Sequence, residues 1–173
     1  MLRLVIPAVL GCALLASACR LTSDGGIVGV FTPGATGRVE FVTTTFAGGR
    51  AMIHTERVDS AQSTVELEGC TQPIGGGNCT QDFRVVRSIA KAELDSIFRL
   101  VSSPQFRAVR DSYERVSDIV PPDDMQVRLE VTVHERRRTI TWSRGAAPPD
   151  ILEHLKCLVS AAGGSLVLCA AID

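Results

Sequence analysis

The chain has 173 residues, with 18 basic and 19 acidic side chains and a formal charge of −1. That near-balance excludes the strongly basic signature of a nucleic-acid binder, and one Trp and one Tyr are too few for base or sugar stacking. The length holds a single domain with a real core, even after a leader is set aside.

The first three residues, Met1-Leu2-Arg3, carry one positive charge and no acid, and Leu4 to Leu15 is almost wholly apolar. Small residues follow, Ala16-Ser17-Ala18, which is the three-part layout of a secretory signal. The apolar run, about 15 residues, is shorter than the roughly 20 that a membrane span needs, and Pro7 interrupts it. Residues 1–18 are therefore expected to be a signal peptide. An ordinary signal peptidase would accept Ala16-Ser17-Ala18 and release a secreted or periplasmic protein.

Cys19 stands directly at that cut, after Leu15-Ala16-Ser17-Ala18. The stretch resembles the lipobox of bacterial lipoproteins, whose cysteine becomes the lipidated first residue. It departs from the usual pattern at Ala16, where Leu is the common residue. Cys12, in "AVLGC", is a rival position with a very short leader. The resemblance implies fatty acyl chains such as palmitate on Cys19 and a domain tethered to a membrane of the cell envelope. Two or more such chains anchor firmly where one does not. Arg20, not an aspartate, follows Cys19, which in Gram-negative families implies passage to the outer membrane. Residues 19–37 are rich in Gly, Ser, Thr and Pro and are expected to be a flexible tether.

Residues 38–173 are expected to form one globular α+β domain. "RVEFVTTTF" (38–46) is dense in β-branched and aromatic residues and predicts a strand. Ala47-Gly48-Gly49 breaks it, and "RAMIHTERV" (50–58) predicts the returning strand. "STVELEG" (63–69) alternates as a third strand, and "DFRVVRS" (82–88) reads as a fourth. Between them, "CTQPIGGGNC" (70–79) is a loop. In "AKAELDSIFRLVSS" (90–103) the period changes: Leu94, Ile97, Phe98 and Val101 form one helical stripe, closed by Pro104. Phe106, Val109 and Tyr113 predict a short further turn, and Pro121-Pro122-Asp123-Asp124 a loop.

The hairpin signal is clear in "MQVRLEVTVHERRRTITWSRG", where Val127, Leu129, Val131 and Val133 alternate with polar residues. A turn at Arg136-Arg137 would set Val133 opposite Ile140 and Val131 opposite Trp142. "PPDILEHLKCLVSAAGG" (148–164) predicts a second helix, with Leu152, Leu155, Val159 and Ala162 buried and Gly163 at its end. The expected fold is an antiparallel sheet of roughly four to six strands with two helices on its apolar face.

With Cys12 in the leader and Cys19 assigned to lipid, Cys70, Cys79, Cys157 and Cys169 remain. In an exported domain an even number predicts disulfides, and four cysteines allow three pairings. The sequence-local pairing, Cys70–Cys79 with Cys157–Cys169, is the simplest. Neither spacing fits a C-x₂-C metal site.

Catalytic signatures are missing. There is no G-x-S-x-G elbow, and Gly75-Gly76-Gly77 is followed by no Gly-Lys-Ser/Thr phosphate loop. His134-Glu135 opens like a zinc H-E-x-x-H motif, but position 138 is Arg. His54 and His154 complete the histidines, and Asp118, Asp123 and Asp124 lack a calcium-loop pattern. No enzyme activity, cofactor or metal is expected. Arg136-Arg137-Arg138 is the one basic cluster, expected at a hairpin tip. It could contact a phospholipid headgroup, lipopolysaccharide or an acidic partner.

These features predict a non-enzymatic binding or structural lipoprotein of the cell envelope, its partner an envelope protein. A second expectation is an inhibitor of an exported metalloprotease, with Thr71–Asn78 as a preorganised presenting loop. Thr45-Phe46-Ala47-Gly48-Gly49, with the helix and hairpin of 90–143, resembles emfourin, a small inhibitor of thermolysin-like proteases. The long 60–82 insertion and the cysteine pairs depart from that family.

Overall fold

A computed structural model describes residues 36–114, 124–165 and 169. The expected signal peptide, the lipid-bearing Cys19 and most of the expected tether lie outside the described residues, as do Asp118 and Asp123 and most of the 165–169 extension. Gly37, assigned above to the tether, is the first residue of β1 (Gly37–Ala47). A turn at Gly48-Gly49 leads into β2 (Arg50–Asp59), and β3 (Thr64–Pro73) and β4 (Thr80–Ser88) continue the meander. Then come α1 (Lys91–Val101), α2 (Pro104–Arg107), the short β5 (Ser112–Tyr113), β6 (Met125–Val133), β7 (Arg136–Ser143) and α3 (Asp150–Ala162).

The strands form one seven-stranded sheet in the order β4-β3-β2-β1-β6-β7-β5. Two expectations are corrected here. The sheet has more than six strands, and it is mixed, because β5 pairs in parallel with β7. Tyr113, expected in a turn, is a β5 residue whose ring is buried. A two-residue strand has no length for a periodicity signal, so the sequence could not announce it. Phe106 does sit on a short helical turn, α2, whose Ser103 side chain accepts from the Phe106 N–H at 3.1 Å.

The β6–β7 hairpin turns two residues earlier than expected, at His134-Glu135, with Val133 opposite Arg136. His134 takes the left-handed backbone, φ 55°. Leu129 therefore faces Ile140, and Val127 faces Trp142. The displacement is an even number of residues, so every side chain keeps the face that its parity assigned.

Val39 and Phe41 of β1, Val58 of β2, Val65 of β3 and the odd-numbered residues of β6 point to one face. The helices lie there: Leu94, Ile97, Phe98 and Val101 of α1 join Leu152, Leu155 and Val159 of α3 in a single core with those strand residues. Phe41 and Trp142 meet edge to face, ring centres 6.3 Å apart. The opposite face of the sheet carries no helix from the described residues.

Candidate functional site

The helical layer covers the middle of the sheet and stops short of β4. All nine β4 residues are exposed, including Phe83 at 43%, Val85 at 36% and Val86 at 55%. Met52 on β2 is exposed on the same side as Phe83. Apolar side chains thus gather where the sheet ends and where, among the described residues, its backbone is unpaired along one edge, which is how interaction sites look in a polar surface.

The β3–β4 connection belongs to the same end. Cys70 and Cys79 are joined, with Cα atoms 5.7 Å apart. The loop they close is shorter than the expected 70–79, because β3 continues through Pro73 by pairing with β2 and only 74–79 lies outside the strands. Ile74, 56% exposed, stands at its tip, and its N–H donates to the Gly49 carbonyl at 3.1 Å. The β1–β2 turn therefore braces the loop. Gly75, Gly76 and Gly77 all take positive φ, a conformation that a side chain would strain. At the loop base, Thr71 Oγ1 donates to Asp82 Oδ2 at 2.7 Å. The second pair, Cys157–Cys169, ties the chain beyond α3 back onto that helix, Cα atoms 5.6 Å apart. On the chain-entropy argument each bridge contributes roughly 2.5–3 kcal/mol.

Behind this end, Glu56 of β2 lies under α3, 5% exposed. Ser160 Oγ donates to both of its carboxylate oxygens, at 2.8 and 2.9 Å, and His54 Nε2 lies 3.3 Å from Oε1. Burial pushes the Glu56 carboxyl up, but the bonds from His54 and Ser160 and the charges of His54 and Lys156 outweigh it, so its pKa falls below the ordinary value. The carboxylate stands between the serine and the histidine. A hydrolase triad needs the histidine in that place; here the carboxylate of β2 holds Ser160 and so ties α3 to the sheet. The His54 ring tilts against Phe83, centres 5.6 Å apart. His154, on α3, has a buried Nδ1 without a hydrogen-bond partner. Among the described residues no group of three or more His, Cys, Asp or Glu could hold a metal ion.

The open face carries a charge ladder across four strands. Arg38 bonds to Glu40, Arg57 bridges Glu40 and Glu66 at 2.7 Å each, and Arg84 reaches Glu66 at 2.5 Å. Register explains it, because Glu40 faces Arg57 and Arg57 faces Glu66. Burial raises the Glu40 and Glu66 carboxyls, yet their arginine partners bring both below the ordinary value.

The three consecutive arginines are not a tip cluster. All lie in β7, and their environments differ. Arg138, 6% exposed, points into the helix face, where Nε bonds Asp111 Oδ1 and Nη1 bonds the Phe106 carbonyl, both at 2.9 Å, and Nη2 bonds the Val109 carbonyl. It is thereby withdrawn from any surface anion. Arg137 pairs with Glu130 on the open face, and Arg136 is exposed beside the turn. The sequence held the signal for Arg138, since it shares parity with Ile140 and Trp142. Nothing local in the sequence could have joined Glu56 to Ser160, which are 104 residues apart.

On the open face a shallow groove of about 750 Å³ runs from β2 across β1, β6 and β7 to β5, past Val42, Thr44, Ile53, Arg128 and Thr141. No histidine, lysine or cysteine lines it. Among the described residues no helix is long and apolar enough to cross a membrane. No protein-family model and no curated protein matches this chain.

Proposed function

We propose that the protein is an exported, lipid-anchored binding module of the bacterial cell envelope, with its contact surface at the β3–β4 end of the sheet. One observation carries the surface: a full-length edge strand, exposed over its whole length, with Phe83, Val85 and Val86 beside a disulfide-closed loop. The two disulfides support an oxidising compartment. Leu15-Ala16-Ser17-Ala18-Cys19 supports the anchor, through its likeness to a lipobox. A tether of Gly, Ser, Thr and Pro between Cys19 and β1 lets the domain stand clear of the bilayer.

The intact, unreduced mass of the protein from a bacterial membrane fraction tests the anchor. The expected species begins at Cys19, carries acyl chains and lacks the four hydrogens of two disulfides. A soluble species without acyl chains removes the anchor from the proposal.

A second reading, inhibition of an exported metalloprotease, draws support from Ile74. It is an exposed apolar side chain on a loop already ordered by Cys70–Cys79 and by its bond to Gly49. Such a loop loses little conformational freedom on binding. A thermolysin-like protease that keeps full activity in excess protein eliminates this reading, and inhibition abolished by Ile74→Asp supports it.

A further inference from the structure

The two edges of the sheet are treated differently. One ends in β5, two residues long, and short edge strands are a common protection against unwanted pairing. The other ends in β4, nine residues long, with neither proline nor lysine in it. We infer that β4 is a self-pairing edge: two copies of this chain join β4 to β4 in antiparallel register and extend the sheet across a two-fold axis.

The backbone defines which groups are available. Ile89 N–H donates to the Ser63 carbonyl at 3.0 Å, in the register that continues along β3 and β4. In an antiparallel ladder alternate residues address the same neighbour. Phe83, Val85 and Arg87 therefore turn their backbone groups to β3, and Arg84, Val86 and Ser88 turn theirs to the free edge. Below Phe83 the register shifts between Gly69 and Cys70, which limits the regular stretch to Phe83–Ser88.

A two-fold axis normal to the sheet keeps the helices of both copies on one face and confines the pairing to a few registers. Centring on Arg84 opposes two like charges. Centring on Val86 sets Phe83 against a residue past the end of the strand. Centring on Val85 uses the whole stretch. Arg84 of each copy then exchanges backbone hydrogen bonds with Val86 of the other, the two Val85 side chains meet, and each Phe83 stands opposite an arginine, Arg87, rather than an apolar void. Leu67, Val85 and their counterparts would form one apolar row on the helix side. In this register no arginine stands directly opposite another and the apolar residues of the strand meet their own copies or an arginine stem, a steric self-match that favours a second copy over an unrelated segment. The inference rests on the binding surface proposed above, but not on the lipid anchor.

Sedimentation equilibrium of the full chain tests it, with Val86→Pro and Val85→Lys as variants. The Val86 N–H faces away from β3, so proline there removes an intermolecular donor and leaves the internal ladder intact. Val85→Lys places two cations face to face at the axis and alters an exposed side chain only. The expected result is a dimer whose dissociation constant rises at least about tenfold in each variant, with unchanged circular dichroism. Should Val86→Pro fail to fold, Val85→Lys decides. A chain that stays monomeric at about 100 µM, or a dimer that both folded variants retain, overturns the inference. Arg84 and Val86 amides protected from exchange in a dilute monomer also overturn it, since a segment of the same chain would then cover the edge. In that case the intact-mass result still decides the anchor independently.

Discussion

Replacing Arg138 with methionine keeps the aliphatic stem and removes the guanidinium. The Phe106 and Val109 carbonyls then lose their buried donor, and Asp111 loses its partner. Asp111 is half exposed, so water replaces most of that bond and its share is below about 1 kcal/mol. Water does not reach the two carbonyls, and each lost bond from a charged donor costs about 1.5 kcal/mol or more. The sum is about 3 kcal/mol, a large fraction of the 5–15 kcal/mol typical of a folded domain. Trp142, the one tryptophan, lies on the same strand and is 5% exposed, so its fluorescence reports unfolding in urea. With a slope of about 1–3 kcal/mol per molar, the midpoint should fall by about 1–3 M. Arg137→Met, which breaks only the exposed pair with Glu130, should cost below about 1 kcal/mol. Equal costs for the two variants would refute the distinction drawn between these neighbours.

Ser160→Ala removes both hydroxyl bonds to Glu56 and should destabilise by about 1–2 kcal/mol, with the Glu56 pKa rising in an NMR titration. Gly37→Ala and Gly69→Ala form a pair: an added Cβ would lie 2.3 Å from the Phe98 ring in one case and 2.2 Å from the Phe83 ring in the other. Phe98 is fully buried and cannot yield, so Gly37→Ala should cost about 2–3 kcal/mol in the same urea assay, whereas the exposed Phe83 ring swings aside and Gly69→Ala costs about 1 kcal/mol or less. The carboxyls of Glu40, Glu56 and Glu66 all lie below their ordinary value of 4.5 in the folded state. Their stabilisation is therefore complete above that pH and is lost as the pH falls through the depressed folded values. Thermal melts should be flat with pH for these groups above about pH 5 and decline below about pH 4.5, and Glu56→Gln should flatten the decline.

Most of the meander was legible because its strands announce themselves by composition and are cut by residues that cannot continue them, Gly48-Gly49 above all. The two long helices, α1 and α3, were legible from their stripes, since the buried residues of α1 are the four that spacing selected. The failures share a cause: they depend on a partner remote in the chain. The β6–β7 turn lacks glycine, and only the pairing of Val133 with Arg136 places it at His134-Glu135. β5 exists because Ser112 and Tyr113 meet β7, and no property of two residues foretells that. The three arginines are one run in the sequence, but adjacency in sequence is not adjacency in space. In a strand, neighbours point to opposite faces, which separates Arg137 from Arg138 completely.

The exposed β4 edge follows from the same sequence by simple geometry. Seven strands about 4.8 Å apart make a sheet about 29 Å wide. Two helices side by side, each about 10 Å across, cover about 20 Å. Roughly two strands of width are left without a helical layer, and the core composition places the deficit at β4. Val39, Val58 and Val65 are almost fully buried in β1, β2 and β3, whereas no β4 residue is buried. A strand outside the core must be held by other means, and here they are visible. The Cys70–Cys79 bridge joins it to β3, Arg84 joins it to the charge ladder, and Phe83 lies on the space that Gly69 leaves open. These devices fix β4 in place without hiding it. An uncovered strand held in place by a disulfide and an ion-pair ladder supports the contact surface proposed there, in preference to the groove on the open face.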